Sequence, residues 1–146
     1  MRRTFFAGSF NPFTIGHADL VDRALEIFDE VVIAVGISID KSTDESAIEA
    51  LTAPIKKLYA GDKRVSVIHY SGLTVDAAKE AGCGFLLRGV RNVKDFEYEK
   101  ELAEVNFRLS RIETVILFTR PELAVVSSAL VRELEHFGHD TSRFLP

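Results

Sequence analysis

Gly8-Ser9-Phe10-Asn11-Pro12-Phe13-Thr14-Ile15-Gly16-His17 is the stretch whose reading decides how the rest of the chain is arranged. Before it stands Thr4-Phe5-Phe6-Ala7, a short apolar run of the kind that forms a buried strand. After it, from Ala18 to Phe28, the apolar residues Leu20, Val21, Ala24, Leu25 and Phe28 recur at helical spacing. Strand, glycine–proline turn and helix start therefore follow one another directly. Gly8 has no Cβ, so the backbone there can come close to a ligand. Gly16 and His17 open the helix, where unpaired N–H groups and the positive end of the dipole favour anions. An imidazole at that point can donate to a phosphate oxygen.

The same alternation continues along the chain. Val31 to Val35 reads as a second buried strand, and Ala47 to Tyr59 as a helix that Pro54 either kinks or delays. Val65 to Ile68 is a third strand, followed by a short helix from Thr74 to Ala81. Phe85-Leu86-Leu87 is a fourth strand that runs into Arg88-Gly89-Val90-Arg91. A long helix is predicted over 93–109, with Val93, Phe96, Leu102, Val105 and Leu109 as its buried stripe. Thr114 to Phe118 is a fifth strand, and Ser127 or Ser128 starts a last helix reaching about His136. This pattern predicts one α/β domain over 1–146, a Rossmann-like, doubly wound, five-stranded parallel sheet. Ligands bind such sheets beyond the carboxyl ends of the strands. Segments 8–17, 36–41, 71–74, 88–91 and 119–128 should therefore meet on one edge.

Composition narrows the function classes. With 47% hydrophobic and 27% charged residues the chain has the make-up of a globular protein. Its net charge of −4 argues against general nucleic-acid binding, so an anion site must be a local gathering of cations and helix ends. No apolar run approaches the roughly 20 residues that span a bilayer. The apolar stretch behind Arg2-Arg3 is too short for a signal peptide. The single cysteine, Cys83, excludes an internal disulfide and fits a reducing cytoplasm; between two glycines it reads as a small packed residue. His69, His136 and His139 stand in no metal-ligand spacing. The phosphate loop G-x-x-x-x-G-K-[ST] and the dinucleotide pattern G-x-G-x-x-G are both absent.

Several loop residues carry chemistry. Arg88 and Arg91, flanking Gly89 and Val90 at a strand end, form a two-pronged anion clamp. Lys41, after the second strand, can close over a phosphate, although an exposed lysine by itself is commonly only solubilising. Ser127 and Ser128 cap a helix and at the same time offer hydroxyl and N–H donors to a polyphosphate. On the long helix, Glu99 is placed to reach a ribose or adenine group, though exposed helix glutamate is the default, and Asn106, two turns further along, is an amide partner for a substrate.

Thr14-Ile15-Gly16-His17 resembles the T/H-x-G-H signature of the nucleotidyltransferase superfamily, and Gly8 to Pro12 resembles the turn that precedes it there. With Lys41, the block Arg88-Gly89-Val90-Arg91 then Asp95-Phe96-Glu97-Tyr98-Glu99, and Val126 to Glu133, nearly the whole chain resembles the bacterial phosphopantetheine adenylyltransferase family. The resemblance implies transfer of AMP from ATP to 4′-phosphopantetheine, giving dephospho-coenzyme A and pyrophosphate. It implies Mg²⁺ carried mainly by the ATP phosphates with no metal ligands of the protein's own, and a homohexamer. The resemblance further implies dephospho-coenzyme A and coenzyme A as bound products, with no nucleic-acid or membrane partner. His17, Lys41, Arg88 and Arg91 would carry catalysis. Ser9, Phe10, His17, Gly89, Val90, Arg91 and Glu99 would bind ATP, together with Leu123, Ala124, Val125, Val126, Ser127, Ser128 and Ala129. Ser9, Lys41, Thr74, Arg88 and Asn106 would hold the acceptor.

The chain departs from the family pattern at Asn11, where an Asp is usual, and at Ala129, where Ser or Thr is usual. Residues 43–54 also lack the aromatic expected after the lysine loop. Two alternatives stay open on sequence: a nucleotidyltransferase with another phosphorylated acceptor, and a non-catalytic nucleotide- or coenzyme-A-binding regulator.

Overall fold

A computed structural model describes residues 1–38 and 44–146 of the chain. Five strands make one parallel sheet: β1 (Arg3–Gly8), β2 (Glu30–Gly36), β3 (Val65–Tyr70), β4 (Phe85–Val90) and β5 (Glu113–Phe118). Their spatial order is β3-β2-β1-β4-β5. The chain moves outward from β1 through β2 to β3, then returns to set β4 against the other side of β1. The order therefore reverses between β1 and β4, the position where such sheets open a crevice. Here the crevice has a visible cause. Backbone pairing between the two strands runs only from Thr4–Phe85 to Phe6–Leu87, whereas β1 pairs with β2 along its whole length from Arg3 to Gly8.

The central strands are apolar on both faces because helices cover both. One core layer holds Phe6, Leu20, Val21, Ala24, Phe28, Ile33, Val35, Ile55 and Leu87; the other holds Phe5, Ala7, Val32, Ala34, Val75, Ala78 and Leu86. The helices are α1 (Ile15–Ala24), α2 (Glu45–Leu58), α3 (Thr74–Glu80), α4 (Val93–Ser110) and α5 (Ser128–His136). Four of them begin on a side-chain cap: Thr14, Asp44, Asn92 and Ser127 each accept from a backbone N–H of the first turn.

Three expectations need correction. Helix α1 starts at Ile15 and ends at Ala24, so Leu25 to Phe28 form the turn after it. Pro54 does not delay α2, which is capped at Asp44 and continues through the proline. Arg88, Gly89 and Val90 are the last residues of β4, and only Arg91 lies beyond it.

A fourth correction concerns α4. Its expected buried stripe is largely exposed: Val93 is 75% accessible, Phe96 39%, Val105 52% and Leu109 60%. The face turned inward is instead the i, i+3, i+4, i+7 row of Glu99, Leu102, Ala103 and Asn106. Glu99 is the one residue of α4 that is fully buried.

Candidate active site

The site begins with a helix cap. Thr14 is the N-cap of α1, and His17 is the third residue of its first turn. In a capping box that third residue reaches back to the N-cap N–H, a task usually performed by Glu or Gln. Here the imidazole does it. The Thr14 N–H donates to His17 Nδ1 at 2.9 Å, and the His17 N–H donates to Thr14 Oγ1 at 3.4 Å. An accepting Nδ1 carries no hydrogen, so the proton of the neutral ring sits on Nε2. Burial, reinforced by the Arg88 and Arg91 charges, lowers the imidazole pKa to about 4. His17 is thus a neutral hydrogen-bond donor through the physiological range. The rings of Phe6, Phe10 and Phe13 surround it at centroid distances of 6.2, 5.0 and 5.3 Å.

Arg88 stands at the point where β1 and β4 part. Its Nη1 donates to the Ala7 carbonyl at 2.6 Å, replacing the ladder bond that the diverging strands no longer make. Nε and Nη2 donate to the two carboxylate oxygens of Glu99 at 2.8 and 2.7 Å. Three of the five guanidinium N–H groups are thereby engaged, leaving one on each Nη. Arg91 is less committed. Its Nε donates to Asp95 at 3.2 Å, and among the described residues neither Nη has a protein partner.

The turn after β1 is tied to α5. Ser128 Oγ donates to the Pro12 carbonyl at 2.7 Å, and Arg132 Nη1 donates to the Asn11 carbonyl at 2.5 Å. Ser128 therefore has no hydroxyl proton left for a ligand, although its first-turn N–H is free. Ser127 Oγ accepts from the Leu130 N–H at 3.1 Å, so its hydroxyl proton remains to be donated. Phe10, at φ 45°, lies in the left-handed region, and its ring approaches to 3.0 Å of where a Cβ on Gly8 would be.

Two clefts open side by side here. The first, of about 260 Å³, is lined by Ser9, Phe10, His17, Gly89, Arg91, Val126, Ser127 and Ser128, with Arg88 in its wall. The second, of about 490 Å³, is lined by Ser9, Thr74, Arg88, Glu99 and Asn106. Ala7, Gly8, Ser9 and Arg88 belong to both. His17, Arg88 and Arg91 are thus brought to one place. Ser9, Thr74, Arg88 and Asn106, the expected acceptor residues other than Lys41, share the second cleft. Lys41 lies outside the described residues. Glu99, expected beside the nucleotide, is in the second cleft and paired to Arg88. Val90 is buried, and Leu123, Ala124, Val125 and Ala129 belong to the right segment without lining the first cleft.

Sequence reasoning overlooked Tyr70, Tyr98, Leu102 and Thr114, all of which line the second cleft. Tyr70 OH and Thr74 Oγ1 share a hydrogen bond of 2.9 Å. Tyr70 closes β3, as Gly8 closes β1, and a position at a strand's carboxyl end was the available signal.

A family model described as cytidylyltransferase-like matches residues 5–134. Proteins named phosphopantetheine adenylyltransferase match over the full length. The one from Phocaeicola vulgatus is 50% identical, with 100% of this chain and 96% of that one covered. The one from Bacteroides thetaiotaomicron is 47% identical at the same coverage. The one from Porphyromonas gingivalis is 52% identical over 97% of this chain and 92% of that one. The chain belongs to the phosphopantetheine adenylyltransferase family. Among solved structures, a bifunctional NMN adenylyltransferase/ADP ribose pyrophosphatase from Francisella tularensis superposes with a TM-score of 0.69 at 14% identity. That alignment covers 99% of this chain and 44% of the larger protein, so the two share a fold over that part. Among the described residues no helix is long and apolar enough to cross a membrane.

Proposed function

We propose that this protein transfers AMP from ATP to the phosphate of 4′-phosphopantetheine, forming dephospho-coenzyme A and pyrophosphate. The carrying observation is the pair of clefts that share Ser9 and Arg88, with His17 in the first and Arg88 in both. Two phosphorylated molecules seated in them meet at that wall. An acceptor phosphate oxygen attacks the α-phosphorus of ATP, the bond from that phosphorus to the α–β bridging oxygen breaks, and its electron pair leaves with pyrophosphate. The attacking oxygen is already ionised near neutral pH, so the protein's task is alignment and neutralisation of charge.

In this reading His17 donates Nε2–H to an α-phosphate oxygen as charge grows there. Arg91, the Ser127 hydroxyl and the first-turn N–H groups of α5 take the β- and γ-phosphates. The free N–H groups of Arg88, with Lys41, hold the acceptor phosphate, and Thr74 and Asn106 face its arm. Mg²⁺ enters on the triphosphate. The nucleotide cleft is lined by hydroxyls and cations suited to the triphosphate, so Mg²⁺ would be held through the phosphates and would supply further charge neutralisation there. The reading includes a cytoplasmic setting, supported by a single cysteine, Cys83, which can form no internal disulfide. It also includes a homohexamer, supported by the uncovered apolar residues of α4 and β5.

Pyrophosphate release is the test. ATP with 4′-phosphopantetheine should release it far faster than ATP with a panel of other phosphate monoesters. Release with another acceptor only would assign a different nucleotidyltransferase reaction, and ATP binding without release would assign a regulator.

A further inference from the structure

Glu99 is 5% accessible and carries a carboxylate into the interior on a helix whose large apolar residues mostly face solvent. The carboxylate is inside while the Arg88 side chain is 33% accessible at the cleft wall, so the pair borders ligand space, and its geometry is specific. Both carboxylate oxygens face the guanidinium, at 2.8 and 2.7 Å, and the Ala7 carbonyl fixes the remaining edge at 2.6 Å. Arg88 lines both clefts; Glu99 lines only the second.

We infer that Glu99 is a positioning residue, whose carboxylate clamps the Arg88 guanidinium so that its two free N–H groups face the acceptor phosphate. The inference rests on the reading of Arg88 as the acceptor-phosphate contact. It departs from the family resemblance, which puts Glu99 against the nucleotide. A carboxylate engaged on both oxygens by one guanidinium has its orientation fixed by that partner.

Two readouts test it, using the full-length protein. In steady-state kinetics, Glu99→Gln should lower kcat/KM for 4′-phosphopantetheine by about tenfold or more while KM for ATP stays within about twofold. By NMR, the Arg88 Nε–H signal, assigned by its loss in Arg88→Lys, should exchange slowly in the wild type and be lost to fast exchange in Glu99→Gln. Glu99→Asp keeps the charge with a shorter reach and should shift both readouts the same way; it replaces Glu99→Gln should that variant not fold. A rise in KM for ATP with acceptor kinetics unchanged would make Glu99 a nucleotide contact and overturn the inference, as would wild-type kinetics. A wild type that releases no pyrophosphate would sink the proposed reaction alone. The clamp is then read by the Nε–H signal and by affinity for inorganic phosphate, where loss in Glu99→Gln supports it and no change overturns it.

Discussion

At position 17 one imidazole both closes a helix cap and lines the first cleft, and the first task dictates what it can offer there. Because Nδ1 must accept from the Thr14 N–H, Nε2 is left to donate. A single such donor at a transition state is typically worth about 3–4 kcal/mol, so His17→Ala should lower kcat by about 10²–10³ with the fold retained by circular dichroism. The same burial makes a stability prediction. The folded pKa is about 4 against 6.5 for an exposed imidazole, so between these values the unfolded chain binds a proton that the folded one rejects. Stability should therefore rise with pH across that window and level off above it. Subtracting the urea-unfolding curve of His17→Gln from that of the wild type should isolate this contribution; a flat difference would contradict it. The motif Thr14-Ile15-Gly16-His17 singled out the histidine that lines the first cleft, but not its tautomer, because the partner of Nδ1 is a backbone group.

Among the elements, α1 is held against β4 by one missing Cβ. A methyl on Gly89 would come within 2.4 Å of Leu20 Cδ1, and Leu20 is a core residue of α1 one turn after His17. Gly89→Ala should cost about 1–3 kcal/mol by chemical denaturation, the usual price of overpacking, and should lower turnover by shifting the imbedded helix start. Helix α4 shows where element-level reading failed. Its apolar residues do not fall on one stripe: Leu102 turns inward while Val93, Phe96, Val105 and Leu109 lie to either side. Its inward row pairs two polar residues, Glu99 and Asn106, with Leu102 and Ala103, because that row lines a cleft and not a core. A hydrophobicity argument cannot see that. By contrast, the strands were legible, since parallel strands covered on both faces must be continuous apolar runs.

For the molecule as a whole, the exposed apolar surface is uneven. Val93 and Phe96 of α4 line a shallow hollow with Phe118 at the end of β5, and Phe118 is 67% accessible. Patches of this kind on a monomer mark surfaces that other proteins cover. In the proposed homohexamer, Phe118→Lys and Leu109→Lys should shift sedimentation toward smaller species while leaving far-ultraviolet circular dichroism unchanged; sedimentation indifferent to both would place that interface elsewhere. The global topology was readable because alternation of strand and helix admits few solutions. The pairing of Glu99 with Arg88 was not, since it joins two residues through the packing of α4 on the sheet.

The bond from Arg88 to the Ala7 carbonyl has one more implication. It fastens together the two strands whose separation creates the crevice, so the guanidinium proposed to hold the acceptor phosphate is also a rivet of the sheet. Replacing Arg88 would widen the gap and empty the anion subsite in the same stroke, and no side chain lacking both prongs can restore one effect without the other.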